Sequence, residues 1–313
     1  MNLRSHLRLL LASATALVAV LLLSPVAALA QGTTDPANEP ALNPSEEFAL
    51  PSWIDIRIGG LDLSINKAVF YVVVATILTC VVMIYAARRM ATRPTGRLQT
   101  TVELAFGLMR DNITRGNMDS RMAAKWFPFI ATLFLFIWFS NMIGYIPLPT
   151  NTHEKFSLFG LEIPSFALYA ATANISVPLV LALVVWISYH VEGVRAHGPI
   201  GYIRSWVPKG VEGFMVGPIL AIEALSHFVR LISLSLRLFA NILAGHLLIL
   251  FMAGGLVVLL GMGVFGSVIL GISTGTLAVV FFIFEIGLVA TLQAFIFSTL
   301  TAIYLGGAVA EGH

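Results

Sequence analysis

The apolar stretch from residue 214 to 253 carries Glu223, His227, Arg230, Arg237, Asn241 and His246. Placing an Arg or Asp at the centre of a membrane helix costs about 2.5–3.5 kcal/mol, so each of these positions is a candidate functional site. At 100° per residue, Glu223, His227, Arg230, Arg237 and Asn241 fall within an arc about 80° wide, a polar stripe along one helix face. His246 stands nine residues beyond Arg237, nearly on the opposite side and ~13 Å further along the axis. A second stretch, 257–306, repeats the theme with Glu285 and Gln293, followed by Ser298, Thr299 and Thr301. Packed together, the two sets would line a water-filled path, since charge survives in lipid only beside water or a partner.

Blander readings compete with this one. Arg237 could snorkel to an interface, although it lies deep between Leu231 and Phe251. His246 could be a structural histidine. A secondary transporter with a buried arginine site for an anionic solute would also tolerate these charges. Such folds show two related halves, and the Arg-Leu-Phe stretch has no second copy and no matching broken-helix pair. An intramembrane metallopeptidase would need a His-Glu-x-x-His pattern, which is absent; His190 and His197 fall in a cytoplasmic-loop setting. Neither metal nor cofactor is expected, and no phosphate-binding glycine loop of Walker type occurs.

Lipid is the solvent the composition implies. Of 313 residues, 58% are hydrophobic and 11% charged, and the formal net charge is +2. That balance excludes a nucleic-acid footprint, and no basic run is interleaved with aromatics. The single cysteine, Cys80, sits in an apolar run and reads as a small hydrophobe.

Residues 1–30 read as a signal peptide or an uncleaved anchor: Arg4 and Arg8, an apolar run from Leu9 to Leu23, then Ala28-Leu29-Ala30. Residues 31–66 read as an outer linker, acidic and proline-bearing at first. From 53 to 65 the linker alternates as Trp53, Asp55, Arg57 against Ile54, Ile56, Ile58, with Gly59-Gly60 between the halves, a hairpin signal. Residues 67–313 form the membrane domain. Its apolar stretches are 68–87, 126–147, 166–190, 214–253 and 257–306. Arg88, Arg89, Arg93, Arg97, Arg110, Arg115, Arg121 and Lys125 crowd the first connecting loop, whereas the 148–165 loop holds only Lys155. The positive-inside rule therefore puts the first loop and the C-terminus in the cytoplasm. Leu98, Val102, Ala105, Phe106 and Met109 recur at helical spacing and predict an amphipathic helix along the interface. The fourth stretch, at 40 residues and ~1.5 Å each, would be ~60 Å long as one helix against a ~30 Å hydrocarbon core. The fifth shows the same excess, with Gly254, Gly255, Gly261, Gly263, Gly266 and Gly271 expected to place turns or close helix contacts in its first third. The predicted fold is an all-α polytopic membrane protein of about five embedded helices, the last two long and strongly tilted as a hairpin.

Ser233 to His246, reading SLSLRLFANILAGH, resembles the signature of ATP synthase subunit a, and Leu292 to Leu305, reading LQAFIFSTLTAIYL, resembles that family's last helix. The resemblance covers roughly residues 48–313, and Glu223 sits at the position of the family's cytoplasmic-side acid. Two departures stand out. Some relatives carry an acid where this chain has His246 and a histidine where it has an acid on the last helix, an exchange that keeps the types complementary. Glu285 stands eight residues before Gln293, where relatives have seven. One residue of slip turns a side chain by about 100°, so a bulge or local shift is needed to restore the geometry.

The resemblance implies the stator subunit of an F-type synthase in a bacterial inner membrane, coupled to protons or, in a variant form, sodium. Its N-terminus would lie outside after signal cleavage. It implies a rotating c-ring, b-type peripheral stalk subunits and the bilayer as partners. It implies no covalent catalysis by this chain itself, since ATP forms in a soluble head within the proton-transporting two-sector ATPase. It further implies two half-channels: His246 and Glu285 in the outer, Glu223 in the inner, Arg237 separating them, and Asn241 and Gln293 holding water or orienting Arg237.

Overall fold

A computed structural model describes residues 50–89, 96–250 and 264–310, apart from breaks at 51, 55, 59–60, 63, 147, 150–154, 159–160, 165, 168, 209 and 212. The signal or anchor segment and Gly254, Gly255, Gly261 and Gly263 lie outside the described residues.

Short strands lead in. β1 (Ser52–Ile54) pairs with β4 (Ile65–Asn66), and β2 (Arg57–Ile58) with β3 (Leu61–Asp62), so the alternating stretch forms nested antiparallel pairs. α1 (Lys67–Arg89) follows at once, its first turn capped as Val69 donates its N–H to Asn66 Oδ1 at 3.1 Å. Val73, Ile77, Val81 and Ile84 recur on its exposed side, a stripe suited to lipid.

α2 (Arg97–Gly107) runs into a π-helical segment, Leu108–Thr114. Thr114 Oγ1 closes that wider turn by donating to the Met109 carbonyl at 2.6 Å. Met109 and Ile113 are fully buried while Leu104 is exposed, the two faces expected of an amphipathic helix.

α3 (Ser120–Gly144) is the most enclosed span, with Ile130, Ala131, Phe134, Ile137 and Asn141 buried along it. β5 (Leu148–Pro149) pairs with β8 (Phe166–Ala167), and β6 (Lys155–Leu158) with β7 (Leu161–Pro164). This corrects two expectations. The stretch read as a plain loop is a pair of nested hairpins, and the third helix, α4 (Ser176–His197), begins ten residues later than its hydropathy suggests. Tyr169 to Ala173 are apolar because they are buried as a connection; Ala170 lies against Gly144, where an added Cβ would collide with it. Hydropathy counts buried loop and span alike.

α5 (Pro199–Ser205) is a short helix after Gly198, whose φ of +73° suits glycine. α6 (Val216–Leu250) is followed by α7 (Val264–Phe284), a π segment Glu285–Val289 and α8 (Ala290–Val309). Gly266 and Gly271 lie within α7 and place no turn there.

Among the described residues, five helices are long and apolar enough to cross a membrane, and the last two reach 37 and 38 residues. At ~1.5 Å per residue such helices measure ~55 Å, so each must lean steeply or protrude from a ~30 Å core. Arg230 lies over the Tyr304 ring, while Gly245 abuts Glu285. Early α6 thus meets late α8 and late α6 meets the π segment: the pair runs antiparallel. The main core is where α3, α4, α6 and α8 meet, through Leu234, Leu238, Ile242, Ala294, Phe297 and Leu305.

Candidate functional site

Helix α6 carries polar groups at three levels. Arg237 stands ~21 Å along the axis from Glu223 and ~13 Å from His246. Leu234, Leu238 and Ile242 form a buried apolar row between the ends.

At the far end, His246 is 4% exposed. Its Nδ1 lies 3.0 Å from the Ile242 carbonyl and its Nε2 3.1 Å from the Gly144 carbonyl. Carbonyls only accept, so both contacts are satisfied together only when the ring carries both protons. Tyr145, 1% exposed, lies with its ring 4.7 Å from that of His246 and donates its hydroxyl to Glu285 Oε2 at 3.0 Å. His246 and Glu285 therefore converge, with Tyr145 between them. Gly245 permits the approach: a Cβ there would run into the Glu285 carboxylate. Asn141 completes the wall, accepting from Thr172 at 2.7 Å and donating to the Ala290 carbonyl at 3.4 Å.

The eight-residue interval from Glu285 to Gln293 contains the π segment Glu285–Val289. In a regular helix, eight residues would set two side chains about 80° apart and seven about 20°. A π turn absorbs one residue, and both Glu285 and Gln293 end up buried.

At the near end, Glu223 Oε1 accepts from Arg230 Nη2 at 2.9 Å, and His227 Nε2 lies 3.9 Å from the same oxygen. The His227 Nδ1 meets Tyr189 Oη at 3.0 Å, and its carbonyl accepts from Trp186 Nε1 at 3.1 Å. His190 and Trp206 lie against its ring, at 4.9 and 4.5 Å. His190 was expected in a loop; it is on the membrane helix α4, because that span extends seven residues further before it ends.

Arg237 and Asn241 are exposed, unlike buried His227 and half-buried Glu223 and Arg230. The polar arc runs along the border between the buried row and an exposed apolar face of Val229, Ile232 and Leu236. Arg237 makes no hydrogen bond or ion pair among the described residues, and with Val229, Ile232, Ser233 and Leu236 it lines a shallow groove. Ser298 and Thr301 are fully buried, but Thr301 donates to its own helix, to the Phe297 carbonyl at 2.8 Å. Tyr145, Asn141 and Tyr189 escaped sequence reasoning, since aromatic and single polar residues in apolar helices read as core until the helices are packed.

The profile of the ATP synthase A chain family matches residues 69–306. Among curated proteins, the chain is 35% identical over 276 residues to ATP synthase subunit a of Parvibaculum lavamentivorans, covering 87% of this chain and 95% of that one. It is 33% identical over 272 residues to that of Maricaulis maris, covering 87% and 98%. With that of Rubrobacter xylanophilus it shares 36% identity over 268 residues, covering 83% and 90%.

Proposed function

The chain belongs to the ATP synthase subunit a family, and on that premise we propose that it is the proton-translocating stator of an F-type synthase in a bacterial inner membrane, working against a ring of carboxylate-bearing subunits and held by a peripheral stalk. The carrying observation is the layout of α6, with a polar cluster toward each end, a buried apolar row between them and, on an exposed face between the clusters, a guanidinium unpaired among the described residues.

Arginine is the side chain suited to supplying a fixed cation, because a guanidinium does not deprotonate in proteins. A ring carboxylate brought within about 4–6 Å of Arg237 would have its pKa lowered by ~1–3 units and would release its proton. The same charge, lying between two wet ends, discourages direct passage of protons. Transport then goes by way of the ring. The exposed apolar face around Arg237 suits a helical partner there, and the length of α6 and of the continuous span from α7 through the π segment to α8 suits a long line of contact with a curved ring.

His246, Tyr145 and Glu285 would form the outer half-channel, handing protons between imidazole and carboxylate. Glu223 would serve the inner one, on the side of the base-rich α1–α3 connection. Asn241, exposed one turn beyond Arg237, and buried Gln293 would hold water or steer the guanidinium. ATP would form elsewhere, in the soluble head.

Single cysteines at positions 223 and 285 in a Cys80→Ser background test this layout with membrane-impermeant thiol reagents. We expect 223 to react from the cytoplasmic face and 285 from the outer face. Reaction of both from one face would contradict it.

A further inference from the structure

His227 is a titratable residue that the family reading leaves without a role. Its Nε2 is buried with no hydrogen-bond partner among the described residues, and it faces Glu223 Oε1 at 3.9 Å. Orphaned buried nitrogens are costly and uncommon, so one aimed at a carboxylate calls for a reason. The other side of the ring is anchored at Tyr189 Oη, and the Trp186 bond to the His227 carbonyl fixes the backbone beneath it. When Nδ1–H donates to the Tyr189 hydroxyl, the neutral ring presents the Nε2 lone pair toward Glu223.

We infer that His227 is a second proton-carrying residue of the inner half-channel, exchanging protons with Glu223 across a gap that one water or a small side-chain rotation closes. This rests on the assignment of Glu223 to that half-channel. The exchange balances simply: the Glu223 carboxyl gives its proton to Nε2 of a ring protonated at Nδ1, leaving imidazolium and carboxylate, and the reverse step restores both. The groups facing His227 are Glu223 and Arg230 on α6, Tyr189 and His190 on α4, and Trp206 beyond α5. Arg230 is already engaged by Glu223 at 2.9 Å. Stacked rings keep the imidazole in place while leaving Nε2 free of competing acceptors.

The test uses vesicles bearing the assembled synthase, comparing ATP-driven acidification of wild type, His227→Phe, His227→Ala, Glu223→Gln and the double variant His227→Phe/Glu223→Gln across pH 5–9. His227→Phe keeps the ring packing; it should slow acidification severalfold and change the shape of its pH profile. Added imidazole should restore part of the rate in His227→Ala and none in His227→Phe. The double variant should be no slower than Glu223→Gln alone. Wild-type rate and pH profile in His227→Phe overturn the inference while Glu223→Gln is slow; wild-type rate in Glu223→Gln overturns the half-channel assignment itself. A slow His227→Phe with an unaltered pH profile and no imidazole rescue of His227→Ala makes His227 purely structural and also overturns the inference.

Discussion

Tyr145 Oη donates to Glu285 Oε2 at 3.0 Å while its ring lies 4.7 Å from that of His246, so one side chain spans the two groups read as the outer relay. A hydrogen bond to a charged partner contributes about 1.5–3 kcal/mol, and about 1.4 kcal/mol is a tenfold change in rate. Tyr145→Phe keeps the ring and removes the donor. ATP-driven acidification is expected to slow by roughly tenfold, with assembly unchanged; a wild-type rate at equal complex abundance would deny the hydroxyl any part.

Gly245 and Gly144 are predicted to be intolerant of alanine for different reasons. At Gly245 the new methyl meets the Glu285 carboxylate, which can swing aside, so the complex should assemble but translocate slowly. At Gly144 it meets the Ala170 backbone, which cannot yield cheaply, and overpacking of this kind costs about 1–3 kcal/mol. Complex abundance should therefore fall in Gly144→Ala. Gly107→Ala, with nothing near its Cβ position, is the control and should match wild type.

Much of this was legible in the sequence, because lipid leaves a strong imprint on it. The five spans, the excess length of the last two and the amphipathic segment before α3 follow from apolar run length and period. Charges on α6 stood out for the same reason. The one-residue excess between Glu285 and Gln293 asked for a local distortion, and a π segment lies there. What hydropathy misread was apolar chain buried for other reasons, as at Tyr169 to Ala173, where a connection packs under α3 and was counted as helix. Contacts between helices distant in sequence were invisible to it. Tyr145 meets Glu285 across 140 positions and Tyr189 meets His227 across 38, and nothing local in the chain announces either pairing.

Glu285→Gln and His246→Ala are expected to slow proton flow without abolishing it, since water can bypass one member of a relay. Each should lower the acidification rate severalfold. Complete loss in an assembled His246→Ala complex would make that imidazole indispensable rather than tuning.

Glu192 is 5% exposed on α4 and pairs with Lys125 at the start of α3, with Arg195 at 3.8 Å. Breaking a buried pair from one side leaves a carboxylate poorly compensated, at a cost of about 3–5 kcal/mol when both partners are buried. Lys125 is half-exposed, so a smaller loss is expected. Lys125→Ala should lower the thermal midpoint of the complex, and Lys125→Ala/Glu192→Gln should recover part of it. A single variant as stable as wild type would show that solvent already screens the carboxylate.

Orientation has its own check. On the proposed orientation, the base-rich connection between α1 and α3 and the C-terminus both face the cytoplasm. Cysteines at 155 and 313 should react with an impermeant reagent from the outer and cytoplasmic faces respectively, and the reverse pattern would exchange the two half-channels.

The central claim is that Arg237 supplies a pH-independent cation on the exposed face of α6, ~21 Å from Glu223 and ~13 Å from His246. Lysine is a poor substitute, because burial can lower an ammonium pKa by as much as ~3–5 units, whereas guanidinium stays charged. The most direct measurement is ATP-driven acidification of vesicles bearing Arg237→Lys and Arg237→Ala complexes of confirmed assembly, with passive proton permeability recorded after the energy source is removed. Both variants should lose acidification, and Arg237→Ala should additionally leak protons. Normal ATP-driven acidification by an assembled Arg237→Ala complex would contradict the account, because Arg230, the other arginine of the polar arc, is already engaged by Glu223 at 2.9 Å.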